Sequence, residues 1–177
     1  MRNRSISGAI AALLLAFTLG ACGGGSGKTE NRQITVDSTQ SHEKMIAAGH
    51  YDWVNDAITA TAFPVQGKTK RVETMVIVSF NRSISSKTAV DEMRAHSLRP
   101  ANLEECLAYG AALAKNRRDF DLGPPTYWTV CLGQSAQVGG DRYVPILWRG
   151  VGGRWGLGLR YWDGVWGSGN LFLAVRN

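Results

Sequence analysis

The chain has 177 residues, with 20 basic and 14 acidic side chains and a net charge of +6, a length that suits one folded domain. The three histidines and three cysteines lack the spacing of metal ligands, and no serine stands in a nucleophile-elbow motif. These features predict a globular domain and point to no metal, cofactor or catalytic centre.

Residues 1–21 have the layout of an export signal. Arg2 and Arg4 give a positive start, and an apolar stretch from Ile6 to Leu19 follows. Crossing a bilayer core as a helix takes about 20 apolar residues, so this shorter stretch fits the hydrophobic region of a cleaved secretory signal. Because both arginines leave with the signal, the mature chain is expected to carry a net charge of +4.

A cysteine follows the signal directly, with small residues before it. Leu19-Gly20-Ala21-Cys22 resembles the bacterial lipobox. The resemblance implies a lipoprotein that is cut before Cys22 and held on a lipid bilayer by acyl chains joined to that residue. In similar lipoproteins, an aspartate directly after the cysteine favours retention in the inner membrane. Here that residue is Gly23, and the absence of aspartate favours the outer membrane and a domain facing the periplasm. An ordinary signal peptide with a chance cysteine is the alternative.

Residues 22–33 are predicted to form the lipid anchor and a flexible linker, and residues 34–177 a single domain. The end of the glycine-rich stretch, Gly27-Lys28-Thr29, is similar to a phosphate-binding loop. That loop needs an earlier glycine where Cys22 stands, and it needs a preceding strand. A nucleotide site is therefore excluded.

The first elements of the domain are a strand, a helix and a second strand. A short strand is predicted at 34–36 and a short helix within 41–55, broken near Gly49. Arg71–Phe80 is β-branched and nearly all apolar in its middle, which is typical of a strand covered on both faces.

Two helices are predicted next. Ser85 or Ser86 can cap the first, which is expected to end at Arg99 because a residue before proline leaves the helical region. Asn102 opens the second, with Glu105 as its capping-box partner three residues later.

Short strands separated by glycine turns complete the domain. They are predicted at 127–132, 143–148, 157–162 and 171–176. The order of a strand, two helices and then a mostly antiparallel sheet predicts an α+β fold.

The cysteines that remain after lipidation form an even pair. Cys106 falls on the apolar stripe of the second helix and Cys131 in the strand that follows it. An oxidising compartment favours a disulfide between them. Two separately buried thiols are the alternative.

The C-terminal part from residue 142 is rich in arginine and tryptophan, with five arginines, one acid and four of the six tryptophans. Indole faces stack on sugar rings, and guanidinium groups pair with anions. A binding surface is predicted from Trp148, Arg149, Arg154, Trp155, Arg160, Trp162 and Trp166. An envelope glycan or a periplasmic protein would suit it, whereas export argues against nucleic acid. The hypothesis expects Trp155 or Trp166 to be exposed; in the alternative, the tryptophans fill the core.

Other polar groups favour structural roles. Asp52 and Asn55, beside Tyr51 and Trp53, either line a pocket or cap the backbone, and capping is favoured. Glu104 and Glu105 are neighbours on a helix, so their side chains are expected to point in different directions. The scattered acids Asp119, Asp121 and Asp141 fall short of a calcium shell.

Six segments of the domain also carry a resemblance. They are Tyr51-Asp52-Trp53-Val54-Asn55, Ile58 to Phe63-Pro64, Asn81-Arg82-Ser83-Ile84-Ser85, Leu98-Arg99-Pro100-Ala101, Val144-Pro145 and Phe172-Leu173-Ala174-Val175-Arg176. Together they resemble a family of uncharacterised bacterial proteins, which implies no activity. The order of elements is more distantly similar to C-type-lectin-like domains, which implies that topology without a ligand.

Three functions follow as hypotheses. The first is a lipid-anchored, non-catalytic binding domain. The second is an envelope enzyme, a hydrolase or modifying enzyme, which needs a cleft that gathers Tyr51, Asp52, His96 or an acid pair. The third is a periplasmic inhibitor or immunity lipoprotein. The lack of a catalytic motif favours a binding domain over an enzyme.

Overall fold

A large sheet with helices on both faces forms the domain in our computed structural model, which describes residues 30–115 and 128–177. The helices are α1 (His42–Ala47), α2 (Ser86–Ala95) and α3 (Leu103–Lys115). The strands are β1 (Glu30–Asp37), β2 (Trp53–Val54), β3 (Lys70–Ser79), β4 (Ile84–Ser85), β5 (Leu98–Pro100), β6 (Trp128–Val130), β7 (Ala136–Val138), β8 (Asp141–Arg149), β9 (Trp155–Tyr161), β10 (Val165–Trp166) and β11 (Leu171–Arg176).

Nine of these strands form one sheet, in the order β1-β3-β11-β6-β8-β9-β2, with β5 beside β11 and β7 beside β8. The pairs β6–β11 and β2–β9 are parallel, and the other pairs are antiparallel. Strands β4 and β10 form a separate pair. The predicted class, a single α+β domain with a mostly antiparallel sheet, is confirmed.

Each face of the sheet has its own apolar core. On one side, here called the α3 face, Met75 and Ile77 of β3 pack with residues of α1 and α3. On the other, the α2 face, Val76 packs with α2 residues such as Met93. Because side chains alternate along a strand, an apolar run such as that of β3 fills both cores. The prediction of a strand covered on both faces is confirmed.

The first residues of α2 and α3 are capped as predicted. The hydroxyl of Ser85 accepts a hydrogen bond from the backbone N–H of Thr88 at 3.2 Å. At α3 the side chain of Asn102 accepts from the N–H of Glu105 at 3.0 Å, and the Glu105 carboxylate accepts from the N–H of Asn102 at 2.9 Å. This reciprocal pair is the capping box.

One helix was predicted to end too far along the chain. Helix α2 ends at Ala95 rather than near Arg99, because Ser97 adopts a φ of 57° and residues 98–100 pair with β11. Helix α1 ends at Ala47, close to the predicted break near Gly49, and the following turn contains His50 with a φ of 47°. Trp53 and Val54 then pair with β9, so long-range pairing overrides the local helical pattern.

The predicted linker is also too long. Residues 30–33 belong to β1 and pair with residues 74–77 of β3, so they are part of the sheet. Alternation places Ile34 and Val36 in the core of the α3 face, which fixes the register of the whole strand. Strand β1 therefore begins at Glu30, four residues before the predicted start of the domain.

The disulfide is present. Cys106 of α3 is bonded to Cys131, which follows β6, and both side chains are fully buried. The bond fastens the helix to the middle of the sheet. The described helices include none long and apolar enough to cross a membrane.

Candidate functional site

Alternation along β8 and β9 decides which side chains of the C-terminal section share a surface. Val144 and Ile146 of β8 belong to the core of the α2 face, so Trp148 points the same way. The β9 residues opposite Ile146 and Trp148 are Gly158 and Gly156. At these two positions this face of β9 has no side chain, and the next residue on it is Arg160.

Three tryptophans lie side by side on this face and are here called the tryptophan row: Trp53, Trp148 and Trp128. Trp53 of β2 is paired with Gly156 of β9, and Gly156 is paired on its other side with Trp148 of β8. Trp148 is in turn paired with Trp128 of β6. The ring centroids of Trp53 and Trp148 are 6.2 Å apart, across the strand that carries the glycine. Trp53 is 49% exposed, and the other two rings are half-buried.

Gly156 makes this arrangement possible. A Cβ atom at this position would lie 1.9 Å from Cε2 of Trp148, well inside van der Waals contact. The indole of Trp148 therefore lies directly over the glycine, where it meets Trp53.

We expect Gly156→Ala to displace the indole of Trp148 and to lower the free energy of unfolding by about 1–3 kcal/mol, the usual effect of overpacking. Gly158→Ala is the matched control, since its Cβ would be 3.3 Å from Cγ1 of Ile146, a contact that a small shift relieves. Urea unfolding monitored by tryptophan fluorescence measures both. Equal losses in the two variants would contradict the packing described here.

Two arginines stack on tryptophans of the same face. The guanidinium carbon of Arg160 is 4.0 Å from the ring centroid of Trp128, and that of Arg142 is 3.9 Å from the ring of Trp162. Such cation–π contacts orient the guanidinium groups and leave their N–H edges for other partners. The surface is thus both aromatic and cationic.

The expectation that Trp155 or Trp166 is exposed is wrong. They are only 6% and 3% exposed. Trp155 packs in the core of the α3 face, because it stands on the opposite side of β9 from the tryptophan row. Trp166 lies edge-on to Trp128, and its Nε1 donates to the hydroxyl of Ser86 at 2.8 Å. The alternative of core tryptophans therefore holds for these two.

The remaining predicted residues divide between the faces. Trp148, Arg160 and Trp162 do belong to the α2 face. Arg149 is exposed but points to the opposite side of β8 from Trp148, and Arg154 is exposed at the turn that joins β8 to β9. The predicted set is thus only partly brought together.

Trp53 and Trp128 were not included in the predicted binding surface, because both lie outside the arginine-rich section. The sequence does contain one signal for them: Gly156 and Gly158 alternate in a strand opposite Trp148, which indicates space for neighbouring rings. Assigning that space to β2 and β6 requires the strand order.

The polar residues around Trp53 cap the backbone, as favoured. Oδ2 of Asp52 accepts from the N–H of Trp155 at 2.6 Å, and Oδ1 of Asn55 accepts from the N–H of Ala57 at 3.0 Å. The buried hydroxyl of Tyr51 has no hydrogen-bond partner within the described ranges, and burial raises its pKa. These contacts hold β2, and with it Trp53, at the edge of the sheet.

Glu104 and Glu105 do not diverge as expected. They meet at Arg71, whose Nη2 is 3.0 Å from Glu104 and 3.2 Å from Glu105. Arg71 lies on the α3 face of β3, directly under the first turn of α3, and draws both carboxylates to it. Arg99 of β5 adds a bidentate pair to Glu105, with distances of 2.6 and 2.8 Å.

This acid pair is a structural element. Burial alone would raise the pKa of Glu105, but hydrogen bonds from Arg99, the N–H of Asn102 and Arg71 outweigh it and lower the pKa. A general acid needs the opposite shift. Every oxygen of the buried Glu105 carboxylate is occupied by these partners.

The other residues proposed for an enzyme are not gathered into a cleft. Tyr51 packs on the core of the α3 face, whereas His96 is exposed at the end of α2 on the other side of the sheet. Asp119 and Asp121 lie outside the described residues. In residues 30–115 and 128–177 there is no group of three metal-ligating side chains.

The chain matches no protein-family model, no curated protein and no solved structure. Its function is therefore inferred from its own residues. What the α2 face offers is a set of indole faces and oriented guanidinium groups. Indoles pack on the C–H faces of sugars, and guanidinium groups pair with oxyanions.

Proposed function

We propose that this chain is a bacterial lipoprotein whose non-catalytic domain binds an envelope glycan through the tryptophan row. The observation that carries the proposal is the placing of Trp53, Trp148 and Trp128 on three strands of one face, with Gly156 between the first two. A row of indole rings suits a chain of sugar rings. Arg160 on Trp128 adds donors for sugar hydroxyl or acidic groups.

A glycan suits the row better than a protein does. Stable protein interfaces are usually broad surfaces of about 800 Å² per partner with a continuous apolar core. Here only Trp53 among the row is strongly exposed, and the ring of Trp128 is covered in part by Arg160. A protein partner, including the target of an inhibitor or immunity lipoprotein, is the second candidate and is separated from the first by the test below.

The envelope location is part of the proposal and is supported by the sequence. Cys22 and its leader lie outside the described residues. Only seven residues, 23–29, separate Cys22 from the first residue of β1, so an anchor at Cys22 would keep the domain close to the bilayer. A buried disulfide suits a protein exported to an oxidising compartment.

A C-type-lectin-like topology is proposed as the finer description of the fold. It is supported by the antiparallel pairing of β3 with the last strand, β11, by the two helices between β3 and β6, and by the antiparallel set β6-β8-β9. Topology of this kind supports many functions, so it adds no argument for a particular ligand.

The glycan proposal is tested by co-sedimentation of the full chain, purified in detergent, with isolated peptidoglycan sacculi and with lipopolysaccharide. Trp53→Ala is expected to weaken binding about tenfold, or about 1.4 kcal/mol, to whichever of the two glycans the wild type binds. Tyr161→Ala is the matched control, because Tyr161 is an exposed aromatic that packs edge-on against Tyr143 away from the row. Equal binding by Trp53→Ala and the wild type would overturn the proposal. Binding to neither glycan, with capture of one periplasmic protein that Trp53→Ala loses, would favour the second candidate.

The anchor is tested separately with Cys22→Ser. Without the thiol no acyl chain can be attached, so we expect the variant to carry no lipid and to keep its leader, unprocessed by the lipoprotein pathway. Globomycin, which blocks the lipoprotein signal peptidase, should cause the wild type to accumulate in its longer form. Unchanged processing in both experiments would contradict lipidation.

A further inference from the structure

A groove on the same face of the sheet lies between α2 and the ends of β8 and β9. Its volume is about 700 Å³, within the usual range for small-ligand sites. The residues that matter for its chemistry are Lys87, Asp91, Arg94, Arg99, Arg142 and Trp162. We call this the cationic groove.

Charge in the groove is unbalanced. Four basic side chains line it, and Asp91 is the one acid among the lining residues. Asp91 is paired with Lys87 at 2.6 Å, and Arg99 is paired with Glu105. Arg94 and Arg142 have no acidic partner in the described part of the chain, so their charges face the groove uncompensated.

Arg142 is held in position before any ligand binds. Its Nε donates to the hydroxyl of Ser135 at 2.8 Å, and its guanidinium lies over the ring of Trp162. These two contacts occupy one nitrogen and one face. The terminal nitrogens stay available, since no other residue within the described ranges bonds them. A planar, pre-oriented guanidinium edge is suited to an oxyanion.

The width of the groove is fixed by a side chain at the start of α2. The hydroxyl of Ser86 donates to the carbonyl oxygen of Trp162 at 2.6 Å and accepts from Nε1 of Trp166 at 2.8 Å. This bridge ties α2 to the end of β9. The helix wall that carries Lys87 and Arg94 therefore stands at a set distance from the wall that carries Trp162.

The groove and the tryptophan row form one continuous surface. The N–H of Trp162 donates to the carbonyl of Arg142 at 2.8 Å, which continues the β8–β9 ladder beyond Arg160. Arg142 and Arg160 therefore follow each other on one face. A sugar chain that lies along the row would bring its next groups to the groove.

We infer that the cationic groove binds an oxyanion carried by the glycan, so that the ligand is an anionic rather than a neutral polysaccharide. The inference rests on the proposed function, because it takes the glycan of the tryptophan row as its ligand. Carboxylates of peptidoglycan and phosphates of lipopolysaccharide share this chemistry. Arg142 and Arg94 pair with the oxyanion, and Trp162 packs against the sugar that carries it.

Two pairs of soluble probes separate the sources. One pair is muropeptides released from sacculi, native and with their carboxylates converted to neutral amides. The other is core oligosaccharide of lipopolysaccharide, native and in a neutral form, with its phosphates removed and its sugar carboxylates converted to amides. Affinities are measured by calorimetry with the full chain in detergent, at low and at high salt.

The wild type is expected to bind one native probe at least tenfold more tightly than its neutral form, with a preference that falls at high salt. The double variant Arg94→Gln with Arg142→Gln should lose that preference and keep its affinity for the neutral form. Arg149→Gln, an exposed arginine on the opposite face of β8, should behave as wild type. Trp53→Ala should weaken native and neutral forms alike.

The outcomes distinguish the two proposals. Equal binding of native and neutral forms by the wild type, or an undiminished preference in the double variant, would overturn oxyanion binding in the groove. Neither result would contradict glycan binding by the tryptophan row. If the double variant loses the preference and Trp53→Ala has no effect, oxyanion binding in the groove is supported and glycan binding by the tryptophan row is overturned. Binding of none of the four probes would overturn both.

Discussion

Replacing Glu105 with glutamine is expected to lower the free energy of unfolding by about 3 kcal/mol. The Glu105 side chain is fully buried and accepts from Arg99, Arg71 and the N–H of Asn102. Removing one partner of a buried ion pair costs about 3–5 kcal/mol because the other charge is left unpaired. The lower end applies here, since Arg99 and Arg71 keep partial access to water.

Urea unfolding at pH 7 measures this loss. Glu92→Gln is the matched control, because Glu92 also pairs with an arginine, Arg82, but at the surface. Exposed pairs contribute about 0–1 kcal/mol, so the control should change little. If both variants lost the same small amount, the buried network would not be the element that holds α3 on the sheet.

The difference between the wild type and Glu105→Gln should also depend on pH. The pKa of Glu105 is lower in the folded chain than its ordinary value of 4.5, so the folded state favours the ionised form. Its contribution is therefore complete above about pH 4.5 and is lost as the pH falls through the folded pKa. A difference that grows on acidification would contradict this assignment.

Removing the disulfide is expected to have an effect of similar size. The bond between Cys106 and Cys131 spans a sequence separation of 25 residues, for which the chain-entropy model gives about 3–4 kcal/mol. The double variant Cys106→Ala with Cys131→Ala should unfold at a correspondingly lower urea concentration. Alanine leaves only a small void at these two buried positions, so most of the loss is attributable to the cross-link.

Reductant provides an independent check on the same bond. Dithiothreitol should shift the unfolding midpoint of the wild type towards that of the double variant, and should leave the double variant unchanged. Cys22 is present in both chains, so its chemistry cancels in the comparison. A wild type whose stability is unaffected by reduction would contradict a stabilising role for the bond.

Features that depend on neighbouring residues were predicted well from the sequence. The capping box of Asn102 and Glu105 involves residues three apart, and the β-branched run in β3 defines its own strand. The disulfide was predicted because few cysteines remain once Cys22 is set aside, which limits the possible pairs. In each case the residues that carry the prediction are either close in sequence or, like the cysteines, few in number.

The candidate site was predicted only in part because it depends on strand order. Trp53 and Trp148 are far apart in sequence and meet only because β2 pairs with β9 at the edge of the sheet. The burial of Trp155 follows from the register of β8 with β9, which local composition does not determine. Similarly, Glu104 and Glu105 converge because Arg71 approaches from a separate strand.

The most direct test of the tryptophan row is a titration followed by NMR of the indole N–H groups. Each of the six tryptophans contributes one signal, which is assigned by substitution. With muropeptides or core oligosaccharide added to the full chain, the signals of Trp53 and Trp148 should move most. Those of the buried Trp155 and Trp166 should move least. Largest shifts at Trp155 and Trp166, or none at Trp53 and Trp148 under saturating glycan, would contradict the account.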